Sequence, residues 1–199
     1  MSQGKGRRVN IFSTMMGVQA ACLLLALVGI HLSGVTIHLM GATTWHSIVW
    51  GILGATLSFV VVLGLTRAHN RLGRTLRWYC AQLAPIFSKV SLVQIVLLSI
   101  AAGVCEELLF RGFLQTWLSQ LSSPVLGLLG ASLVFALLHW ASLIYVLLIF
   151  FFGLILGLAY QVSGSLLGVI VWHALYDFFA LAALAYYPQL LHADQWVAK

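Results

Sequence analysis

Apolar residues fill this chain in long blocks, and short polar clusters separate one block from the next. No Lys, Arg, Asp or Glu stands between Arg8 and Arg67, which is enough length for two membrane spans of about 20 residues each. Glycines and hydroxyls in "HLSGVTIHLMGATT" mark the turn between them, so spans are expected over 11–32 and 45–66. A basic loop with Arg67, Arg71, Arg74, Arg77 and Lys89 comes next and is expected to hold a short interfacial helix. A third span follows over 91–118. "SQLSSP" is a turn signal that puts Pro124 in the first turn of the next helix. A fourth span over 124–140, a fifth over 142–161 and a sixth over 165–187 complete the pattern, with "SGS" and Pro188 as breakers. The expected fold is all-α, a polytopic transmembrane bundle of about six spans. No internal repeat or linker divides residues 1–199, so one integral membrane domain is expected.

Composition strengthens that reading. The chain is 62% hydrophobic and 7% charged, whereas a soluble domain carries about 25% charged residues. So few charges cannot cover a water-facing surface, and membrane lipid is the expected partner of the outer face. The formal charge of +6 sits beside apolar spans, which fits a positive-inside signal and not nucleic-acid binding. Lys5, Arg7 and Arg8 then share the cytoplasmic side with the basic loop. Both termini are expected in the cytoplasm, and the protein in the cell (inner or plasma) membrane. The first apolar run is too long for a secretory h-region and lacks a small-residue cleavage site, so it is expected to be retained. The ending "WVAK" holds no prenylation motif. Cys22, Cys80 and Cys105 have neither disulfide-framework nor zinc-finger spacing.

Three of the four acidic residues, Glu106, Glu107 and Asp177, fall inside expected spans, as does Arg111. A charge at mid-membrane costs about 2.5–3.5 kcal/mol on insertion scales, so such groups are paired and mark function by default. Glu107 and Arg111 are four apart and share a helix face in the order that favours an ion pair. Glu106 lies about 100° round the helix from Glu107 and has no cation on its own helix. A carboxylate held in a dry site without a partner suits proton transfer. His139 closes "FALLH" one turn after Phe135, and His173 lies one turn before Asp177, which can orient its ring or share a ligand with it. Carboxylates and histidines on three helices can activate a water and stabilise an oxyanion, or hold a metal.

These motifs, EExxxR (Glu106, Glu107, Arg111), FxxxH (Phe135, His139) and HxxxD (His173, Asp177), together resemble those of the CAAX-protease and bacteriocin-processing (Abi) family of intramembrane proteases. The flanking "FRGF" and "GSLLGVIVWHALYD" are similar too, and the likeness covers roughly residues 90–180, the expected catalytic core. The family often has Asn where this chain has Asp177. The resemblance implies an endopeptidase acting on membrane-associated protein or peptide substrates, in CAAX-type processing, peptide maturation or bacteriocin immunity. In the favoured reading Glu106 is the general base and no cofactor is required. His139 and His173 position the water and stabilise the oxyanion, Glu107 and Arg111 hold the helix in register, and Asp177 orients His173. The family was first described as metal-dependent, and Glu106, His139 and His173 would be the ligands of a zinc ion; HExxH is absent.

Two other classes compete: a non-enzymatic membrane binding or immunity protein, and a transporter using the buried groups as a proton relay. Neither broken half-helices nor paired repeats favour the transporter. His31, His38 and His46 read as interfacial polar residues, Cys105 as a small packing residue, and Trp45, Trp78 and Tyr187 as an aromatic belt. Counting from Ser91 puts Glu106 about 22 Å along its helix, near the expected depth of His173. The same count from Pro124 leaves His139 about 10 Å too near the cytoplasm.

Overall fold

The computed structural model describes residues 10–39 and 44–192. Lys5, Arg7, Arg8 and the carboxy-terminal residues lie outside that range. The described chain is helical: α1 (Ile11–Ser33), α2 (Thr44–Arg67), α3 (Arg71–Phe87), α4 (Leu92–Glu107), a π-helical segment (Leu108–Gln115), α5 (Thr116–Leu121), α6 (Pro124–Leu138), α7 (Leu143–Ser163), α8 (Leu166–Tyr186) and a 3-10 turn (Pro188–Leu191).

Polar caps set the ends that the sequence pattern places. Asn10, Asn70, Ser91, Ser123, Ser142 and Ser165 accept backbone N–H groups at the starts of α1, α3, α4, α6, α7 and α8. Each such cap contributes about 1 kcal/mol. Ser91 and Gln94 form a reciprocal capping box. Gly34 and Gly164 end α1 and α7 in the left-handed conformation, at φ 66° and 61°, where a Cβ would be strained.

Five helices among the described residues are long and apolar enough to cross a membrane: α1, α2, the continuous Leu92–Leu121 helix, α7 and α8. The protein is integral to a membrane. The fourth expected span, over 124–140, is a shorter apolar helix. α6 has 15 residues and ends at Leu138, so it extends about 22 Å and falls short of a core of about 30 Å. It stops where His139 leaves the helix at φ −99° and ψ 28°. The third span is longer than expected, at 30 residues. Glu106 therefore lies 15 residues from Leu121, and His139 lies 15 residues from Pro124 across the turn. The depth mismatch came from fitting the third span into a core of about 30 Å.

The helix from α4 to α5 stands at the centre, its apolar window 50% buried against 11–28% for the other spans. Its α4 portion packs antiparallel to α8, with Tyr186 Oη donating to the Val90 carbonyl at one end of the pair. α1 lies along the other side of α4 and the π segment, where Ala26 packs with Leu109 and Phe110. α6 and α7 close the bundle, with Gly153 against Ser132 and Phe135. The expected interfacial helix is α3, whose Arg77 caps the end of α2 through the carbonyls of Thr66 and Ala68.

Candidate active site

The two adjacent glutamates leave the end of α4 in different directions, as the 100° step of a helix requires. Glu107 is fully buried, and its Oε1 accepts from Arg111 Nη1 at 2.9 Å. The same oxygen lies 2.6 Å from His173 Nδ1 on α8. Arg111 is 1% exposed; its Nη2 donates to the Gly153 carbonyl at 3.0 Å, and its guanidinium lies 4.8 Å from the centroid of the Phe135 ring. A charge with a carboxylate, a carbonyl and a π-face around it is satisfied in a dry interior.

Glu106 faces the other groups. Its Oε1 accepts from Gln19 Nε2 of α1 at 2.7 Å. Its Oε2 is buried without a hydrogen-bond partner and lies 3.7 Å from His139 Nε2 and 3.9 Å from His173 Nε2. Both rings are anchored through Nδ1, His139 to the Phe135 carbonyl at 2.8 Å and His173 to Glu107. Their Nε2 atoms are therefore turned toward Glu106 Oε2. One water about 2.8 Å from each polar atom fits such separations.

Phe135 is the aromatic hub of the site. It packs on His139 with centroids 4.6 Å apart and meets His173 edge-on at 6.0 Å. Phe152 meets the other side of His173 at 6.1 Å. The His139 and Asp177 side chains are 34% and 28% exposed, against 9% or less for Glu106, Glu107 and His173, so the site opens on their side. A separate cavity of about 470 Å³ lies between Arg74, Trp78 and Tyr79 of α3 and Ser142 to Ile144 at the start of α7; no motif residue lines it.

The π segment begins directly after Glu107. Its wider turn shows in Thr116, whose Oγ1 donates to the Arg111 carbonyl five residues back. Arg111 and Gln115 project from it to successive carbonyls of α7, Gly153 and Gly157.

Residues 88–179 match the family model described as type II CAAX prenyl endopeptidase, Rce1-like. That range contains all six motif residues and Phe135. Over that segment the chain is similar to the CAAX-protease family. The chain is also similar to the uncharacterized protein YpbD of Bacillus subtilis (strain 168), at 39% identity over 98 residues that cover 46% of each protein. It thus spans about half the length of that curated relative. No solved structure matches.

The CAAX-protease motif residues come together, but two links differ from expectation. Glu107, and not Asp177, makes the hydrogen bond that orients His173. Asp177 Oδ2 stands 3.7 Å from Nε2, the opposite ring nitrogen, which is beyond hydrogen-bond reach. Glu107 is therefore more than a register pin for its own helix. Gln19 belongs to none of the motifs; its one signal is an amide inside the first span, between Thr14 and His31. Among the described residues no group of three or more His, Cys, Asp or Glu is placed to hold a metal ion. Glu106, His139 and His173 have the right donor chemistry for zinc. Their separations of 3.7 and 3.9 Å exceed the roughly 3.4 Å between neighbouring ligands of a tetrahedral zinc ion.

Proposed function

We propose that the protein is an intramembrane endopeptidase that hydrolyses a peptide bond near the membrane-bound end of a protein or peptide, with Glu106 as general base. The observation that carries this reading is the partnerless Oε2 of Glu106 facing two imidazole Nε2 atoms in a buried site. The likeness of residues 88–179 to type II CAAX prenyl endopeptidases supports a substrate whose carboxy-terminal end carries an isoprenoid.

In this reading a water sits between Glu106 Oε2 and the imidazoles. His139, with its Nδ1–H committed to the Phe135 carbonyl, accepts a hydrogen bond from the water and aims it. Glu106 takes one proton as the oxygen adds to the scissile carbonyl carbon. His173, when it carries both protons, keeps Nδ1–H on Glu107 and offers Nε2–H to the oxyanion. Collapse of the tetrahedral intermediate breaks the C–N bond, and Glu106 returns its proton to the departing amine. The low exposure of Glu106, Glu107 and His173 strengthens these interactions by excluding bulk water.

The test is cleavage of a quenched fluorescent peptide with a farnesylated CAAX end by the purified full chain in proteoliposomes. Glu106→Gln should lower kcat by about 10²–10⁴-fold while the protein still inserts and folds. Normal turnover by Glu106→Gln would sink the assignment. A chelator should leave the rate unchanged. Loss of activity that zinc restores would move Glu106, His139 and His173 from a water-activating set to a ligand set.

A further inference from the structure

α1 lies outside the family-matched segment, and only 11% of its apolar window is buried. Its two buried residues are Gln19 and Ala26, and one of them is polar. A buried amide in a span is costly unless satisfied, and it marks a function by default. Gln19 is 6% exposed and reaches across 87 positions of sequence to Glu106, which is 7% exposed. Because a carboxylate only accepts, the amide NH2 must be the end that faces it.

Glu106 divides its two oxygens between two tasks. Oε1 is held by Gln19 at 2.7 Å, and Oε2 is left toward His139 and His173. The terminal torsion of a glutamate is broad and two-fold, so an unanchored carboxylate swivels. Anchoring one oxygen fixes the carboxylate plane and thereby the aim of the other. We infer that Gln19 is a positioning residue that orients the Glu106 carboxylate for proton transfer, which makes α1 part of the catalytic apparatus. This rests on Glu106 acting as the base. The competing role is plain packing, an amide serving as glue between α1 and α4.

Side-chain chemistry separates the two roles. Methionine fills nearly the volume of glutamine but donates nothing. Asparagine keeps the amide and leaves a gap. A positioning role ranks Gln19→Asn above Gln19→Met in kcat, and a packing role ranks them the other way.

The experiment measures kcat, KM and the unfolding midpoint of the full-length protein on the same farnesylated peptide. Gln19→Met should lower kcat by roughly ten- to hundredfold, with KM within about threefold of wild type. Gln19→Asn should retain more of kcat despite an equal or lower midpoint. Wild-type kcat in Gln19→Met, or Met outperforming Asn, overturns the inference. Should Gln19→Met fail to accumulate, Gln19→Leu, which also donates nothing, takes its place: reduced kcat at unchanged KM supports positioning, and wild-type kcat overturns it. Normal cleavage by Glu106→Gln overturns Glu106 as the base on which this inference rests, and no cleavage by wild type overturns the peptidase reading itself. An inactive Glu106→Gln beside a normal Gln19→Met overturns only the role of Gln19.

Discussion

Arg111 carries a full charge at 1% exposure, and among the described residues the one carboxylate within hydrogen-bond distance of it is that of Glu107. Glu107→Ala should therefore do two separable kinds of damage. It strands the guanidinium, which costs about 3–5 kcal/mol of stability, and it releases His173 Nδ1, which removes turnover. Adding Arg111→Met to Glu107→Ala should restore much of the unfolding midpoint without restoring kcat. Recovery of both together would show that Glu107 serves stability alone. Asp177→Asn should be milder than Glu107→Ala, because Asp177 makes no hydrogen bond to His173 and its side chain is 28% exposed. The Glu107–Arg111 pair was legible in the sequence because its spacing is local to one helix. The Glu107–His173 bond was not, since 66 positions separate the partners and only the register of α4 on α8 decides whether they meet. The i, i+4 spacing of His173 and Asp177 pointed to the wrong orienting group for that reason. Gln19 belongs to none of the motifs, and its meaning depends wholly on which side of α1 meets α4.

That register is set by close helix approach. A Cβ placed on Gly103 would lie 2.7 Å from Ala174 Cβ and 2.9 Å from both the Ala174 nitrogen and the Ile170 carbonyl oxygen. Backbone cannot yield there as a flexible side chain can, so Gly103→Ala must push α4 and α8 apart one turn before the catalytic pair. The expected cost is about 1–3 kcal/mol of stability and a loss of kcat approaching 10²-fold, the order that follows a 1 Å misplacement. Gly17→Ala on α1 is the control, because nothing lies within 4 Å of its added Cβ. Equal kcat for the two variants would show that the Glu107–His173 contact tolerates helix separation. The hydrophobic blocks and caps revealed the helices to within a few residues. They did not reveal the π segment, because its apolar run reads the same in either helical form. Nor did they show that α6 stops at His139. In "FALLHWASLIY" only His139 and Ser142 interrupt the apolar run, so the expected end at 140 overshoots the break that the φ and ψ of the histidine mark.

On the scale of the whole bundle, every described cation except the buried Arg111 gathers at one end. Arg67, Arg71, Arg74, Arg77 and Lys89 lie at the end of α2, on α3 and in the turn before α4. The opposite end is formed by residues 34–39 after α1, the α5–α6 turn and the α7–α8 turn, and none of these carries Lys or Arg. Loops that short orient by their basic residues, so α3 is expected on the cytoplasmic face. An anionic leaflet would add about 1 kcal/mol for each cation near its surface. Glu106, 15 residues from Leu121 and 14 from Leu92, would then sit near mid-membrane, open on the side of His139 and Asp177. The orientation can be read by single-cysteine labelling in intact cells, after Cys22, Cys80 and Cys105 are replaced by Ala. Ser122→Cys, exposed in the α5–α6 turn, should react with an impermeant maleimide from outside. Ser88→Cys, exposed at the end of α3, should react only after permeabilisation. The reverse pattern would put α3 outside, and a prenylated substrate made in the cytoplasm would then have to approach the site from the uncharged end of the bundle.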